Sequence, residues 1–426
     1  MDALARSPAL GPLLFALQRR GLASSSSSAS SPLSQLMFFF QQRHGEGSPA
    51  PPADRIQRQV LELRESEASS AAEALPRSQL EGGRFVHNRT LFPDHKEHGL
   101  GDVLKWRRNV VATPRPTAAD LAALPVLPLD TAALERPPTG QVQLTWVGHA
   151  TVLCQMDGWN ILCDPILSKR CSPTQWAGPK RIVPSPMRAR DLTIPIDVVL
   201  ISHNHYDHLD VTSVLALAER TPAPLWFVPL GLKKWFLRRG IRNVVEMDWS
   251  EEAVVPKAEG KARSLKLVSV PCQHFTSRGP TDRNKTLWTS WLCSTKAAGP
   301  TSEGEGASFF FGGDTGYCGD IFKRVGKVFG PIDVSAIPIG AYGHATERWF
   351  MKPVHMNPSE AVKMHRDIRS RRSVGIHWGT FLLTAEPILE PPKLLRAAVA
   401  EAGLQEEAFE VLKHGETRAF GGGDGG

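Results

Sequence analysis

Short apolar runs, punctuated by glycine, proline, asparagine and aspartate, dominate the chain from about residue 82 onward. The runs QVQLTWV, VLCQM and NILCD follow one another with the turn-forming stretches GHAT and DG between them, which predicts consecutive strands of a meander. DVVLI at 197–201 is almost entirely apolar, as expected of a buried strand. Further strands are predicted at LWFV, NVVEM, LKLVSVP, LWTSWLC, ASFFF, DVSAIPI and SVGI.

Apolar residues at helical spacing predict helices among these strands. DVTSVLALAER at 210–220 shows this spacing directly after a predicted strand. Helices are also predicted at 230–239, 357–369 and 390–402. Because strands precede the helices and hairpins lie among the strands, we predict a layered α/β domain, with sheets packed face to face and helices outside.

The two ends of the chain differ in composition from this domain. Between Asp2 and Glu46 there is no acidic residue, whereas arginines and the run SSSSSASS are present. This composition predicts a transit peptide at 1–45, with a disordered tail as the alternative. Residues 46–81 are rich in Pro, Ala, Glu and Ser and predict a linker with a solvated helix near 54–68. The domain is then expected over 82–420, followed by a disordered tail at 421–426.

Composition and charge exclude some classes of partner. The net charge of +7 is modest for 426 residues and the basic residues are spread along the chain, so no nucleic-acid partner is predicted. No run approaches the roughly 18 to 20 apolar residues of a spanning helix, so any membrane contact is predicted to be peripheral. The six cysteines form no CxxC pair and are predicted to be free, buried thiols.

The strand at 197–201 leads into a dense cluster of potential metal ligands. The stretch ISHNHYDHLD contains His203, His205, Asp207 and His208. Three further candidates, His274, Asp314 and His377, each follow an apolar run, and glycines 312, 313 and 316 flank Asp314. We predict that these strand ends converge, with the glycines allowing backbone to approach a metal closely. Nitrogen and carboxylate ligands without thiolate suit zinc, iron or manganese better than a soft metal.

The ligand order HxHxDH followed by His, Asp and His resembles that of the metallo-β-lactamase fold superfamily. Longer blocks, among them DPILSKRCSPTQWAGPKR, VVLISHNHYDHLD, RWFMKPVHMNPSEAV and IHWGTF, are similar to the N-acylphosphatidylethanolamine-hydrolysing phospholipase D family over about residues 82–417. The resemblance implies a four-layer αββα sandwich with two zinc ions per chain at one edge of its paired sheets. It assigns His203, His205 and His274 to one ion, Asp207, His208 and His377 to the other, and Asp314 as the bridge.

The resemblance also implies a reaction, the hydrolysis of N-acylphosphatidylethanolamine to N-acylethanolamine and phosphatidic acid. It places Asp314 and His355 at the catalytic centre, with His355 orienting the phosphate or protonating the leaving group. The implied substrate contacts are Tyr206, His355, Gln175 and Trp176, and the implied supports of the ligands are His149 and Asp164. The chain departs from the family pattern at Trp176, which replaces a commoner tyrosine, and at AYGHATERW, a longer connection that adds His344.

Other functions stay open at this point. The same metal cluster serves thioester, lactone and β-lactam hydrolases and other phosphodiesterases. A non-enzymatic lipid-binding protein would usually lack one or more ligands, whereas all seven are present. A di-iron redox centre would normally carry glutamate at the position of His205.

The resemblance implies a phospholipid substrate at a membrane surface and a homodimer. The composition of 1–45 favours a peripheral membrane location in mitochondria, or in plastids of a photosynthetic source, with the cytosolic face of endomembranes as the alternative. GLKKWFLRR at 231–239 has two interpretations, a helix lying on an anionic membrane or a helix that buries its aromatic residues in the core. LMFFF at 36–40 is a second candidate for membrane contact.

Overall fold

The structure is a computed structural model that describes residues 52–66, 75–296 and 306–421. The predicted transit peptide, its LMFFF run and the glycine-rich end from residue 422 lie outside the described residues. The predictions for those segments therefore stay predictions.

Two seven-stranded sheets form the centre of the fold. The strands are β1 (Gln79–Glu81), β2 (Arg84–Val86), β3 (Gln141–Gly148), β4 (Thr151–Met156), β5 (Trp159–Cys163), β6 (Val198–Leu200), β7 (Leu225–Pro229), β8 (Val244–Met247), β9 (Glu252–Val255), β10 (Leu265–Val270), β11 (Ser290–Ser294), β12 (Ser308–Phe311), β13 (Ile332–Pro338), β14 (Ser370–Ile376), β15 (Phe409–Glu410) and β16 (Thr417–Gly421). The first sheet has the order β16-β3-β4-β5-β6-β7-β8 and the second β15-β14-β13-β12-β11-β10-β9, while β1 and β2 form a separate hairpin.

Helices cover the outer faces of this pair of sheets. They are α1 (Pro52–Ser66), α2 (Leu100–Asn109), α3 (Ala118–Ala122), α4 (Thr131–Glu135), α5 (Val211–Ala218), α6 (Lys233–Leu237), α7 (Gly319–Phe329), α8 (Arg348–Met351), α9 (Pro358–Asp367) and α10 (Glu390–Glu401). Short 3₁₀ turns lie at Ala189–Asp191 and Glu406–Ala408.

Side chains of the central strands alternate between two apolar layers. On β4, Val152 and Cys154 belong to the main core between the sheets, whereas Leu153 belongs to a second cluster with Val214 and Phe236. This alternation follows from the two-residue period of a strand. The predicted four-layer αββα sandwich is thus confirmed, and the long apolar runs are explained by burial of both faces.

The mixed pairing of each sheet places several strand ends at one edge. Strands β5 to β8 run parallel in the first sheet, and β12 to β15 run parallel in the second. The remaining neighbours are antiparallel. Because parallel strands end on the same side, residues that follow β6, β12 and β14 can meet at a common edge.

The helix predicted as solvated lies within the packed domain. On α1, Ala53, Ile56 and Val60 are buried in the main core, and Gln57 exchanges two hydrogen bonds with the backbone of Glu246 on β8. The prediction of a solvated helix here is wrong, because these apolar residues lie on one face of the helix.

Truncation of this face tests its contribution to stability. Replacing Ile56 with alanine should lower the free energy of unfolding by about 2 to 4 kcal/mol, since a buried side chain leaves a cavity. Leu61 on the same helix is 40% exposed, and Leu61→Ala should change stability by only about 0.5 kcal/mol. Chemical denaturation of the full chain measures both, and equal effects of the two changes would contradict burial of this face.

The segment GLKKWFLRR forms only the five-residue helix α6. Leu232 and Phe236 are buried in the second apolar cluster, and the guanidinium of Arg239 covers the ring of Trp235 at 3.6 Å. These contacts favour the interpretation in which the aromatic residues pack in the core. Among the described residues, no helix has both the length and the apolar character needed to cross a bilayer.

The six cysteines are all free and buried, as predicted. Burial raises the pKa of thiols such as Cys154 and Cys163 well above the usual range, so they stay protonated and pack as small apolar residues.

Candidate metal centre

Four strand ends deliver the seven predicted ligands to one edge of the sandwich. His203, His205, Asp207 and His208 follow β6, His274 follows β10, Asp314 follows β12 and His377 follows β14. Their ligand-type atoms fall into groups within 4.8 Å of one another. The structure therefore brings together all the side chains that the sequence nominated as metal ligands.

Three imidazoles form the first group. His203 Nε2 lies 2.8 Å from His205 Nδ1, and His274 Nε2 lies 3.2 Å from the same atom. Nitrogen ligands of a tetrahedral zinc ion, each about 2.0 to 2.1 Å from the metal, are separated by about 3.3 Å. The two measured distances are close to the spacing of neighbouring nitrogen ligands on a zinc ion.

Asp207, His208 and His377 form the second group. His208 Nε2 lies 3.3 Å from His377 Nε2, and Asp207 Oδ2 lies 3.4 Å and 3.6 Å from these two nitrogens. This group, like the first, has the spacing of a metal site.

The carboxylate of Asp314 lies between the two groups. Its oxygens are 3.0 Å from His208 Nε2 and 3.0 Å from His377 Nε2. Oδ2 also lies 3.7 Å from His274 Nε2 and 3.9 Å from His203 Nε2. One carboxylate facing both imidazole groups is the arrangement expected of a bridging ligand.

The chemistry of these donors fits a pair of divalent cations. The carboxylate of Asp314 is buried among imidazole nitrogens of both groups, and an ionised carboxylate in a buried position is costly without a neighbouring positive charge. The ligand atoms are imidazole nitrogens and carboxylate oxygens, which zinc binds readily. The residues present therefore fit two zinc ions.

Burial sets the charge state of the first group. Burial lowers the pKa of His205 to about 3 and that of His274 to about 4, and it lowers the pKa of His203 well below the usual value. All three rings are therefore neutral at pH 7. The neutral imidazole is the form that binds a metal.

In the second group, neighbouring carboxylates affect the pKa values of the histidines more strongly than burial does. Burial opposes a charge on His208, but the carboxylates of Asp314, Asp207 and Asp164 outweigh it and raise the pKa of His208 well above the usual value. In the same way, Asp314 and Asp207 outweigh burial and raise the pKa of His377 to about 9. The carboxylates therefore keep both rings protonated in the metal-free chain. Binding of a metal cation should displace these protons.

Hydrogen bonds to the remote ring nitrogens orient the histidines. Asp164 is fully buried and accepts the Nδ1 proton of His208 at 2.6 Å. It also accepts the hydroxyl of Ser202, which lies 2.9 Å from His203 Nδ1. The carbonyl of Val354 lies 2.9 Å from His274 Nδ1. These partners leave Nε2 of all three rings free to face a metal.

His149 supports Asp207 in the same manner, with Nε2 2.8 Å from Asp207 Oδ2. The contacts of His149 and Asp164 agree with their expected supporting roles. His149, Asp164 and His377 all have positive φ angles, of 54°, 37° and 63°. Such left-handed backbone is unfavourable for residues with a Cβ and is concentrated at functional sites.

The glycines around Asp314 lie where a larger side chain would not fit. Gly313 has φ of 59°, and a Cβ there would lie 2.7 Å from Cβ of Ser202. A Cβ on Gly316 would lie 2.6 Å from the carbonyl oxygen of Pro353. These glycines let the Asp314 loop pack closely against neighbouring protein, and approach of their backbone to a metal stays a prediction.

Of the predicted substrate contacts, His355 lies beside the ligand groups and Tyr206 lies in the loop that carries His205, Asp207 and His208. The His355 ring centroid is 5.2 Å from that of His274 and 5.4 Å from that of His377, and its buried Nδ1 has no hydrogen-bond partner. Tyr206 is half-buried within the ligand loop, and its hydroxyl donates to the carbonyl of Arg278 at 3.1 Å.

Gln175, Trp176 and His344 lie on exposed segments. The amide of Gln175 makes two hydrogen bonds to the backbone of Arg170, and Trp176 is 65% exposed. His344 is exposed and contacts Thr346 at 3.1 Å. None of the three belongs to the buried ligand groups, so a substrate role of Gln175 and Trp176 stays a prediction.

Sequence reasoning missed a recess beside the second group. Its lining includes His149 and His377. The apolar part of its wall comprises Trp378, Phe381, Leu382, Leu383, Ile388 and Pro391. The apolar stretch FLL shortly after His377 is the signal that could have found it.

Comparisons with known proteins agree with this geometry. A family model described as beta-lactamase superfamily domain matches residues 159–378, a range that contains all seven predicted ligands. A Caenorhabditis elegans protein named N-acyl-phosphatidylethanolamine-hydrolyzing phospholipase D 1 is 42% identical over 279 residues, covering 64% of this chain and 74% of the relative. The chain belongs to the N-acylphosphatidylethanolamine-hydrolysing phospholipase D family. The predicted resemblance is confirmed.

Further proteins and solved structures are similar to this chain. A Saccharomyces cerevisiae member, whose name adds "mitochondrial", is 35% identical over 277 residues, covering 65% of this chain and 55% of the relative. An uncharacterised Mycobacterium tuberculosis protein is 39% identical over 288 residues, covering 66% and 70%. Among solved structures, the metallo hydrolase Igni18 of Ignicoccus hospitalis is 22% identical with a TM-score of 0.46, covering 66% of this chain and 98% of that chain. The di-iron β-hydroxylase CmlA of Streptomyces venezuelae is 21% identical with a TM-score of 0.46, covering 66% and 54%.

Proposed function

We propose that this chain is a zinc-dependent phosphodiesterase that hydrolyses N-acylphosphatidylethanolamine to N-acylethanolamine and phosphatidic acid, with two zinc ions per chain. The observation that carries the proposal is the carboxylate of Asp314, which faces both imidazole groups at 3.0 to 3.9 Å. The names of the worm and yeast relatives support the substrate.

Two zinc ions held by these residues would supply Lewis acidity toward a phosphoryl oxygen and would lower the pKa of a bound water toward neutrality. The hydrolysis forms a bond from the water oxygen to phosphorus and breaks the bond from phosphorus to the N-acylethanolamine oxygen, which leaves with a proton. The chain's own residues hold the site for this step. Asp164 and His149 keep His208 and Asp207 in fixed orientations, so little reorganisation is needed during reaction.

His355 acts on the substrate through its neutral ring. Burial lowers the pKa of His355 well below the usual value, so the ring carries no charge at pH 7. A neutral imidazole can donate one hydrogen bond to a phosphoryl oxygen but is a poor source of a free proton. Of the two expected roles, this favours orienting the phosphate over protonating the leaving group.

The proposal extends to location and assembly. The acid-poor N-terminal composition and the name of the yeast relative support a mitochondrial location. A membrane phospholipid as substrate requires peripheral contact with a bilayer. A homodimer is proposed from the resemblance to the family.

The test uses the purified full chain and vesicles that contain N-acylphosphatidylethanolamine. We expect about two zinc ions per chain by mass spectrometry of metals and formation of both products. A chelator should abolish turnover and added zinc should restore it. Phosphatidylcholine vesicles serve as the control substrate. Two bound metals with no turnover of the N-acyl lipid would overturn the substrate, whereas a chain that binds no metal would overturn the proposed mechanism.

A further inference from the structure

Arg278 makes an unusual set of contacts beneath the ligand loop. Its Nη1 donates to the carbonyl of Asn204 at 2.8 Å and to that of Leu209 at 2.8 Å, with the carbonyl of His205 at 3.5 Å. The first two carbonyls bracket the segment that carries His205, Asp207 and His208. One guanidinium therefore ties both ends of the ligand loop together.

Arg278 also fixes the aromatic ring inside this loop. Its Cζ lies 3.9 Å from the ring centroid of Tyr206, and the hydroxyl of Tyr206 donates to the carbonyl of Arg278 at 3.1 Å. The same guanidinium lies 5.6 Å from the ring of Trp235. Tyr206 is thus held at both its face and its hydroxyl by one residue.

The backbone of Arg278 is itself anchored close to another ligand. Arg278 lies four positions after His274 in the sequence, and its N–H donates to the carboxylate of Asp282 at 3.0 Å. Asp282 also accepts the N–H of Gly279 at 2.8 Å. The loop that supplies His274 is thereby connected to the loop that supplies His205, Asp207 and His208.

We propose that Arg278 is a positioning residue that sets the geometry of the ligand loop and of Tyr206 before a metal or substrate binds. Arginine suits this role because its planar guanidinium can stack on an aromatic face while Nη1 donates to two carbonyls, whereas an ammonium has no planar group to stack. Burial lowers the pKa of Arg278 to about 10, so its charge persists at pH 7. The kinetic and zinc-retention parts of this proposal rest on the proposed function, whereas the hydrogen-exchange part in the metal-free chain does not.

Arg278→Lys keeps the positive charge but removes the planar guanidinium that lies on the Tyr206 ring. The variant should release zinc at about 10- to 100-fold lower chelator concentration than the wild type, the usual effect of losing a support behind metal ligands. In the metal-free chain, amide hydrogen exchange across 203–210 should be faster. With zinc in excess, KM for vesicles of N-acylphosphatidylethanolamine should rise more than kcat falls, because the Tyr206 ring loses its fixed position.

Arg220 provides a matched control. It donates to the carbonyls of Ala189, Leu192 and Ile194 at 2.7, 3.1 and 2.7 Å, and burial lowers its pKa as it does for Arg278. The segment that it holds carries none of the predicted site residues. Arg220→Lys should therefore leave zinc retention, exchange across 203–210 and KM unchanged, even if it lowers thermal stability.

A second variant, Asp282→Asn, keeps the Arg278 side chain and weakens its backbone anchor. It should shift zinc retention and exchange in the same direction as Arg278→Lys, by a smaller factor. Wild-type exchange and zinc retention in both variants would overturn the proposal. If both variants change as expected but the wild type does not cleave the N-acyl lipid, Arg278 keeps its role and the proposed function fails.

Discussion

Replacing Asp314 with asparagine is expected to remove at least one metal per chain and to lower turnover by about 10³-fold or more. The carboxylate faces nitrogens from both ligand groups, and an amide has one neutral oxygen in place of two that share a charge. A loss of about 4 kcal/mol in transition-state stabilisation corresponds to this factor. Metal content and turnover of N-acylphosphatidylethanolamine, both measured on the purified variant, test the expectation.

The control for this change is Asp333→Asn on β13. Asp333 accepts hydrogen bonds from Ser308 and pairs with Lys296 at 2.8 Å, outside the ligand groups. This variant should keep both metals and near-normal turnover. The two expectations separate a bridging ligand from a general effect of removing a carboxylate. An Asp314→Asn variant that retains two metals and wild-type turnover is incompatible with the bridging assignment.

The ligand set was predictable because strand endings can be read from the sequence. Apolar runs of four to seven residues ended shortly before His274, Asp314 and His377, and layered sheets place such endings at one edge. The histidine cluster after β6 identified the chemistry. The strand endings alone did not assign each ligand to one ion or identify Asp314 as the bridge, since a few ångströms separate a bridging carboxylate from a terminal one; that assignment came from the family resemblance.

Helix α7 and the contacts of Arg278 were harder to predict, each for a different physical reason. Helix α7 contains Gly326, which lowers helix propensity, yet a Cβ there would lie 2.0 Å from the carbonyl oxygen of Asp367, so the glycine allows close packing of α7 on α9. Arg278 carries no motif, because backbone carbonyls at 204 and 209 are its partners and any residue type supplies a carbonyl. Contacts of this kind are visible only in three dimensions.

Replacing His355 with alanine is expected to lower kcat by about 10² to 10⁴-fold while both metals stay bound. The ring lies beside His274 and His377 but was assigned to the substrate phosphate and not to a metal. Because burial holds the pKa of His355 well below its usual value, the ring should not change charge between pH 6 and 8. Any inflection in the pH dependence of kcat between pH 6 and 8 should therefore come from a group other than His355.

His355→Gln separates the two roles considered for this histidine. A glutamine amide can donate a hydrogen bond to a phosphoryl oxygen but cannot transfer a proton at neutral pH, so partial recovery relative to alanine indicates orientation, and none indicates proton transfer. His365 is the matched control, since it is buried, contacts Ser373 at 2.8 Å and lies outside the ligand groups. A ring nitrogen of His355 lies within 4.8 Å of ligand atoms of His274 and Asp314. If His355→Ala loses a metal and His365→Ala does not, His355 is an eighth ligand. The orientation role would then be wrong.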